Sequence, residues 1–550
     1  MRRISLLLLA VPGLAAIAAG QTAAPPQSYD LIIKNARIWT GVARQPMADS
    51  IGIRGDVVAA LGGVDGKATR VIDAGGRLIT PGFIDSHVHL LAGGLRLNSV
   101  QLRDAKTRDA FVARIKEFAA KQPEGTWITG GDWDHENWGG ELPTRQWIDA
   151  ATPKHPVWVN RLDGHMALAN SLALKLSAVA KNTRDVPGGT IVRDAAGMPT
   201  GILKDNAMEL VDQAVPAPSP DAKQEALQAA TKYLLQFGVT SVHDVSTNDD
   251  LELLRRASGS GKLKLRVYAG RPLSSNRDVN LFIEREGRGD RWVRWGLLKG
   301  FQDGSLGSKT AAMEADYADA PGSRGLLVTP PEQLYDAIIT SYNWGLQVGV
   351  HAIGDRANSL LLDVFERVAQ VIGPGAQRMR IEHAQHLKPA DVARFAKLGI
   401  IASMQPYHLA DDGRWAERSI GSERAKTSYA FRSLLDAGVV LAFGSDWFVA
   451  PPNVMEGIGA AVTRQTLDGK HPNGWVPEQK IKVEEALKAY TYNGAYAAAE
   501  EGYKGTLAVG KLADLAMLDK NILEIPPAEI RHTKVLLTVV GGQVAYEPKN

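Results

Sequence analysis

Pro81-Gly-Phe-Ile-Asp-Ser-His-Val-His-Leu90 is the stretch whose reading decides the fold. An apolar run leads into two histidines, His87 and His89, spaced two apart. In a β-strand, residues i and i+2 point to the same face. Both imidazoles therefore aim at one point, as two ligands of one metal ion must. The pair gains meaning only if the rest of the chain supplies partners at comparable strand ends.

Working outward, short apolar runs alternate with amphipathic helical patterns. Strands are predicted over 83–90, 240–245, 264–270, 297–304, 346–354, 379–386, 399–405 and 439–447. Helical periodicity fills 221–237, 331–344, 356–372 and 389–397. Alternation of this kind predicts a parallel α/β architecture. Eight units imply a (β/α)8 TIM-like barrel, with reactive groups at the C-terminal ends of the strands. A doubly wound open sheet is the competing architecture, but it does not naturally bring the ends of distant strands to one centre.

Both flanks read as β-structure. Tyr29 to Trp39 alternates like one strand, Ser50 to Leu61 reads as a hairpin turning at Gly55-Asp56, and 512–518 and 534–544 add strands at the far end. Segments 29–80 and 505–548 are thus expected to form a small β-sandwich built from both chain termini, with the barrel occupying 81–504. The first and second barrel strands stand about 150 residues apart, too far for a plain βα unit. Residues 91–238 are read as an inserted substrate subdomain over the barrel mouth, with its Trp-rich runs lining a pocket.

Residues 1–20 carry Arg2-Arg3, an apolar run and Ala18-Ala19-Gly20. That is the pattern of a cleaved signal peptide, and it predicts export to a periplasm or the exterior. No cysteine occurs anywhere in the chain, so disulfides, thiolate metal sites and a lipoprotein anchor are excluded. The formal charge of +3 drops to +1 without the two leader arginines, so no basic field argues for nucleic acid or a membrane surface. Hydrophobic content of 45% and charged content of 22% fit a soluble globular protein. The expected partner is a small-molecule substrate. The sequence leaves oligomeric state open.

Candidate ligands recur at later strand ends. Lys299 lies in an apolar strand, where a charged ammonium is costly. It reads either as a neutral amine that takes up carbon dioxide to form a bridging carbamate, or as an ion-pair partner of Asp303. His351 and His383 each read as a ligand or as a satisfied core histidine. His386 lies past its strand and reads as a supporting or surface residue. Asp446 can bind metal and exchange a proton with a water whose pKa the metal lowers, or it can cap a helix.

With these residues on the page, the chain resembles the amidohydrolase superfamily. Within it, the likeness is to the branch of N-substituted formamide deformylases and related uncharacterised metal-dependent hydrolases. It extends from about Tyr29 to the end and rests on Pro81-Gly-Phe-Ile-Asp-Ser-His-Val-His89, Lys299-Gly-Phe-Gln-Asp-Gly-Ser-Leu-Gly-Ser308, His351-Ala-Ile-Gly-Asp355, Ile381-Glu-His-Ala-Gln385 and Gly444-Ser-Asp-Trp447. Asp163-Gly-His-Met-Ala-Leu-Ala-Asn-Ser171 and Pro199-Thr-Gly-Ile-Leu-Lys-Asp-Asn206 extend it through the insertion. The resemblance implies one or two divalent ions, zinc in the first instance. His87 and His89 would hold the more buried ion, and N6-carboxylated Lys299 would bridge to a second held by His351 and His383. Asp446 would bind metal and act as base and then acid.

The expected reaction is hydrolysis of a C–N bond in an N-acyl, N-formyl or cyclic amide, by hydroxide generated on the metal with Asp446 as proton shuttle. A carboxylester or phosphoester hydrolase on the same scaffold is the alternative, followed by a non-catalytic binding protein. The scaffold by itself does not choose among these. His165, Asn170 and Trp447 are candidate substrate contacts.

Overall fold

The computed structural model describes residues 28–245, 251–375 and 378–548, so the leader read at residues 1–20 lies outside the described residues. Eight parallel strands form the central sheet. They are β1 (Phe83–Val88), β2 (Val239–Asp244), β3 (Arg266–Pro272), β4 (Val293–Phe301), β5 (Gln347–Ala352), β6 (Arg380–His383), β7 (Ile401–Met404) and β8 (Leu441–Phe443). Each pairs with the next in chain order. Strands β1, β2 and β5 through β8 are buried at every position, as expected where helices cover one face of a parallel sheet and the other face lines the barrel.

Closure is made just past β8. Val88 and Trp447 form a parallel bridge, the Asp446 amide donates to the His87 carbonyl (2.7 Å), and the His89 amide donates to the Trp447 carbonyl (2.7 Å). Gly444 allows this approach, since a Cβ there would lie 2.6 Å from the His87 nitrogen. The same hydrogen bonds put the ends of β1 and β8 side by side, which sets the position of the candidate ligands. The fold is therefore the expected TIM-like barrel. Its helices bury one stripe each. In Asp355–Ile372, for example, Leu361, Leu362, Phe365 and Val368 face the core at helical spacing.

Two sheets are assembled from both ends of the chain. One runs Val57–Leu61, Ile51–Arg54, Ser28–Lys34, Lys67–Asp73. The other runs Gln543–Tyr546, Val535–Val540, Leu515–Leu518, Leu78–Pro81, Arg37–Trp39, Met47–Ala48. They share one apolar core that includes Leu31, Ile33, Ile53, Ile79, Leu515 and Val539. The single strand expected over Tyr29–Trp39 is corrected. Asn35 adopts φ +52, a left-handed conformation that Asn tolerates, and the chain passes there from the first sheet to the second. The buried Arg266 of β3 joins barrel and terminal sheets by a paired contact with Asp514 (Nε to Oδ2 2.7 Å, Nη2 to Oδ1 3.1 Å).

The long stretch between β1 and β2 carries a six-stranded mixed sheet of its own. Its tryptophans do not line a pocket as expected. Trp133, Trp138 and Trp147 gather around Phe111 in an internal aromatic cluster. The polar residues of this segment reach the cavity instead.

Candidate metal centre

Ligand-type atoms of His87, His383 and Asp446 lie within 4.8 Å of one another, and all three residues are buried. His87 comes from β1, His383 from the end of β6, and Asp446 from the turn after β8. His89 Nε2 stands 3.2 Å from Asp446 Oδ1, and His87 Nε2 stands 3.5 Å from the same oxygen. The two histidines therefore converge as the His-x-His spacing predicts. The His351 ring lies 4.5 Å from that of His383, and Lys299 Nζ lies 3.2 Å from His87 Nε2. All six predicted metal residues thus meet at one end of the barrel. The alternative ion pair between Lys299 and Asp303 does not form. The Asp303 carboxylate instead accepts the backbone N–H groups of Ala312, Ile353 and Gly354, which ties the loop after β4 to the end of β5.

Whether these groups suit a cation can be tested on their hydrogen bonds. His87 Nδ1 donates to Glu382 Oε2 (2.6 Å), His383 Nδ1 donates to Gln405 Oε1 (2.8 Å), and His351 Nε2 donates to the Gly304 carbonyl (3.0 Å). Each ring spends one nitrogen on an oxygen acceptor and keeps the lone pair of the other. That is how a protein orients imidazole ligands. Burial holds His87, His351 and His383 below the ordinary histidine pKa, so they are neutral. Asp446 Oδ1 is buried without a hydrogen-bond partner. Burial opposes charge on Asp446, yet His87, His89 and His383 around it hold its carboxyl well below the usual range. Burial also brings the Lys299 amine down to about 8, toward the neutral form that carbamate chemistry needs. A buried anion with a free oxygen and imidazoles with free lone pairs suit a divalent ion.

Backbone conformation contributes as well. His383 (φ +76) and Asp446 (φ +60) both adopt the left-handed region. Such conformations cost about 1–3 kcal/mol each in non-glycine residues and gather at functional sites. At His383 the turn interrupts strand alternation, which by itself would give His383 a face different from that of Glu382.

A cavity opens beside the centre. Its wall includes Asp446, His351 and His383, then Arg161, Asp163 and His165 from the insertion, and His408, Asp412 and Trp415 from beyond β7. His165 lies on the wall of this cavity. Its Nδ1 donates to Asp205 Oδ1 (2.7 Å), and its ring sits 4.8 Å from that of His351. The other two candidate substrate contacts are corrected. Asn170 is buried at the start of helix Ser171–Leu176, where its Oδ1 accepts from Val157 and Ala173 and its Nδ2 donates to His155 and Thr152. Its whole amide is used in holding that turn together. Trp447 turns away from the cavity and packs against Tyr233 and Gly93. His386 is buried rather than at the surface and bonds Ser428 Oγ.

Glu382, Arg161, His408 and Asp412 were not foreseen. Two of them left a signal. Arg380 and Glu382 are charges inside a buried strand, and Arg161 ends the apolar run Val157-Trp-Val-Asn, so each needed a partner. Arg380 pairs with Glu382 at 2.8 Å, and Arg161 pairs with Asp163 at 2.7 Å and Asp134 at 3.1 Å. His408 and Asp412 lie on a short helix whose sequence gives no such warning.

The sequence profile of the Amidohydrolase family matches residues 70–546. Protein LONG AFTER FAR-RED 3 of Arabidopsis thaliana is 42% identical over 536 residues, covering 94% of this chain and 91% of the plant protein. N-substituted formamide deformylase of Arthrobacter pascens is 29% identical over 549 residues, covering 95% of this chain and 99% of its own. An uncharacterised metal-dependent hydrolase from Pyrococcus horikoshii, known from its crystal structure, matches with a TM-score of 0.72 at 28% identity, covering 90% of this chain and 99% of its own.

Proposed function

We propose, from the premise that this chain belongs to the amidohydrolase family and is a metal-dependent hydrolase of C–N bonds, that it cleaves an N-acyl, N-formyl or cyclic amide with Asp446 carrying the proton. In this reading His87, His89, Lys299 as its carbamate, His351, His383 and Asp446 hold one or two divalent ions, zinc by preference. A cation held there supplies Lewis acidity to the amide carbonyl and brings the pKa of a water down toward neutrality. The residues do the rest. Glu382 and Gln405 fix the tautomers of His87 and His383. Asp446, an anion with a free oxygen at the cavity wall, takes a proton from the attacking water and delivers it to the departing nitrogen. Similarity to a formamide deformylase supports the amide over an ester or phosphoester.

The observation that carries this reading is the buried Asp446 carboxylate, ringed by imidazoles and without a hydrogen-bond partner on Oδ1. The test is Asp446→Asn, assayed on N-formyl amines, N-acyl amino acids and lactams, with divalent metal counted per chain. The variant is expected to keep most of its metal and to lose at least ~100-fold in kcat, the scale of a lost acid–base group. Turnover at the wild-type rate with metal retained would refute the assignment.

A further inference from the structure

Helix Pro406–Asp412 follows β7 and brings His408, Asp411 and Asp412 to the cavity wall, and two of them, His408 and Asp412, lie one helical turn apart. Residues i and i+4 of a helix are neighbours, with about 5–6 Å between Cβ atoms. The first of the two is His408. Its ring lies parallel to that of His383 at 6.4 Å, and its Nε2 is buried with no hydrogen-bond partner. The imidazoles of His87, His165, His351 and His383 each spend a nitrogen on an oxygen acceptor. His408 lines the same cavity, and its buried Nε2 has nothing to bond. Leaving a buried polar atom unpaired is unfavourable, and a bound partner relieves it.

The second residue is Asp412. Gln385 Nε2 (2.7 Å) and Tyr429 Oη (2.6 Å) both donate to its Oδ2. These bonds fix the carboxyl plane and leave Oδ1 for a ligand. Burial, as the largest cause, pushes this carboxyl up to about 7, and a donor or cation against Oδ1 would bring it back down. Trp415, three residues on, adds an apolar surface to the same wall.

We propose that this helix face reads the substrate, with His408 hydrogen-bonding the reacting amide and Asp412 accepting from a hydrogen-bond donor, such as an amine, carried about one helical turn away. The proposal rests on the amide-hydrolase reading and names the substrate class within it. The reaction stays simple. Water adds to the carbonyl carbon, the C–N bond breaks, and the departing nitrogen takes the proton. The helix contacts bind and orient the substrate and transfer nothing.

Two probes of one shape separate the claim from the general reading. N-formyl-1,3-diaminopropane and N-formylbutylamine differ only in a terminal amine against a methyl. The zinc-loaded wild type is expected to favour the amine by at least tenfold in kcat/KM. In Asp412→Asn the side-chain oxygen can still accept from Gln385 and Tyr429, while an NH2 replaces Oδ1. The preference is expected to vanish or invert. His408→Phe is expected to lower kcat/KM for both probes by about 100-fold with metal content unchanged, on the scale of a lost transition-state hydrogen bond. His408→Gln should restore part of it.

An unchanged probe ratio in Asp412→Asn, or His408→Phe within threefold of wild type, overturns the inference and leaves the hydrolase reading standing. Loss of metal from His408→Phe also overturns it, since His408 would then be a ligand. If the wild type hydrolyses neither probe, the formamide form of the hydrolase reading fails. Calorimetric binding of the pair to zinc-loaded Asp446→Asn then decides the helix claim by the same tenfold preference, and absence of that preference overturns it.

Discussion

Three imidazoles at the barrel mouth each spend one nitrogen on an oxygen of the protein. For His87 the acceptor is Glu382, itself held by the buried Arg380. Glu382→Gln keeps the shape but removes the charge that fixes the His87 tautomer. It is expected to weaken metal binding about 10–100-fold, as loss of such a supporting carboxylate does, read by competition with a chromophoric chelator. Unchanged affinity would show that His87 needs no such support. At this scale much was legible in the sequence. His87 and His89 follow from strand parity, and Lys299 stands out as a charge in an apolar strand. His408 and Asp412 were not legible, because a short polar helix beyond a strand looks the same whether it faces a cavity or solvent. Asn170 misled for a related reason. An Asn before a helix caps it far more simply than it binds a ligand.

The element on which the centre depends is the seam between β1 and β8. Asp446 reaches the histidines because its backbone N–H bonds the His87 carbonyl, and Gly444 leaves room for that approach. Asp85 adds a clamp, accepting from both the amide and the hydroxyl of Ser445. Gly444→Ala would force a methyl to within 2.6 Å of the His87 nitrogen. Overpacking of this kind costs about 1–3 kcal/mol, and here it also pushes Asp446 away from His87 and His89. Lower stability in urea together with reduced metal content is the expected result, and wild-type values for both would contradict it. All eight barrel strands were readable from apolar runs separated by helical periodicity. The break at Asn35 was not, because alternation continues through it while the backbone turns from one sheet to the other.

In the whole molecule, a barrel carrying the chemistry is fastened to sheets made from both ends of the chain. The fastening includes one buried ion pair, Arg266 with Asp514. Asp514→Ala leaves the guanidinium buried without its carboxylate, which costs about 3–5 kcal/mol. A marked fall in melting temperature is expected, with the metal centre unaltered in the protein that remains folded. A shift of under a degree would mean that the pair contributes little. The long insertion was visible in the sequence as an excess of chain after β1 and was read as lying over the barrel mouth, but which of its residues reach the cavity was legible only for His165. Its tryptophans build its own core, while Arg161, Asp163 and His165 reach the site. The account as a whole is tested most directly by amide hydrolysis measured after chelation and again after zinc is restored. It predicts that turnover disappears with the metal and returns on reloading. Equal turnover of the metal-free protein would contradict it.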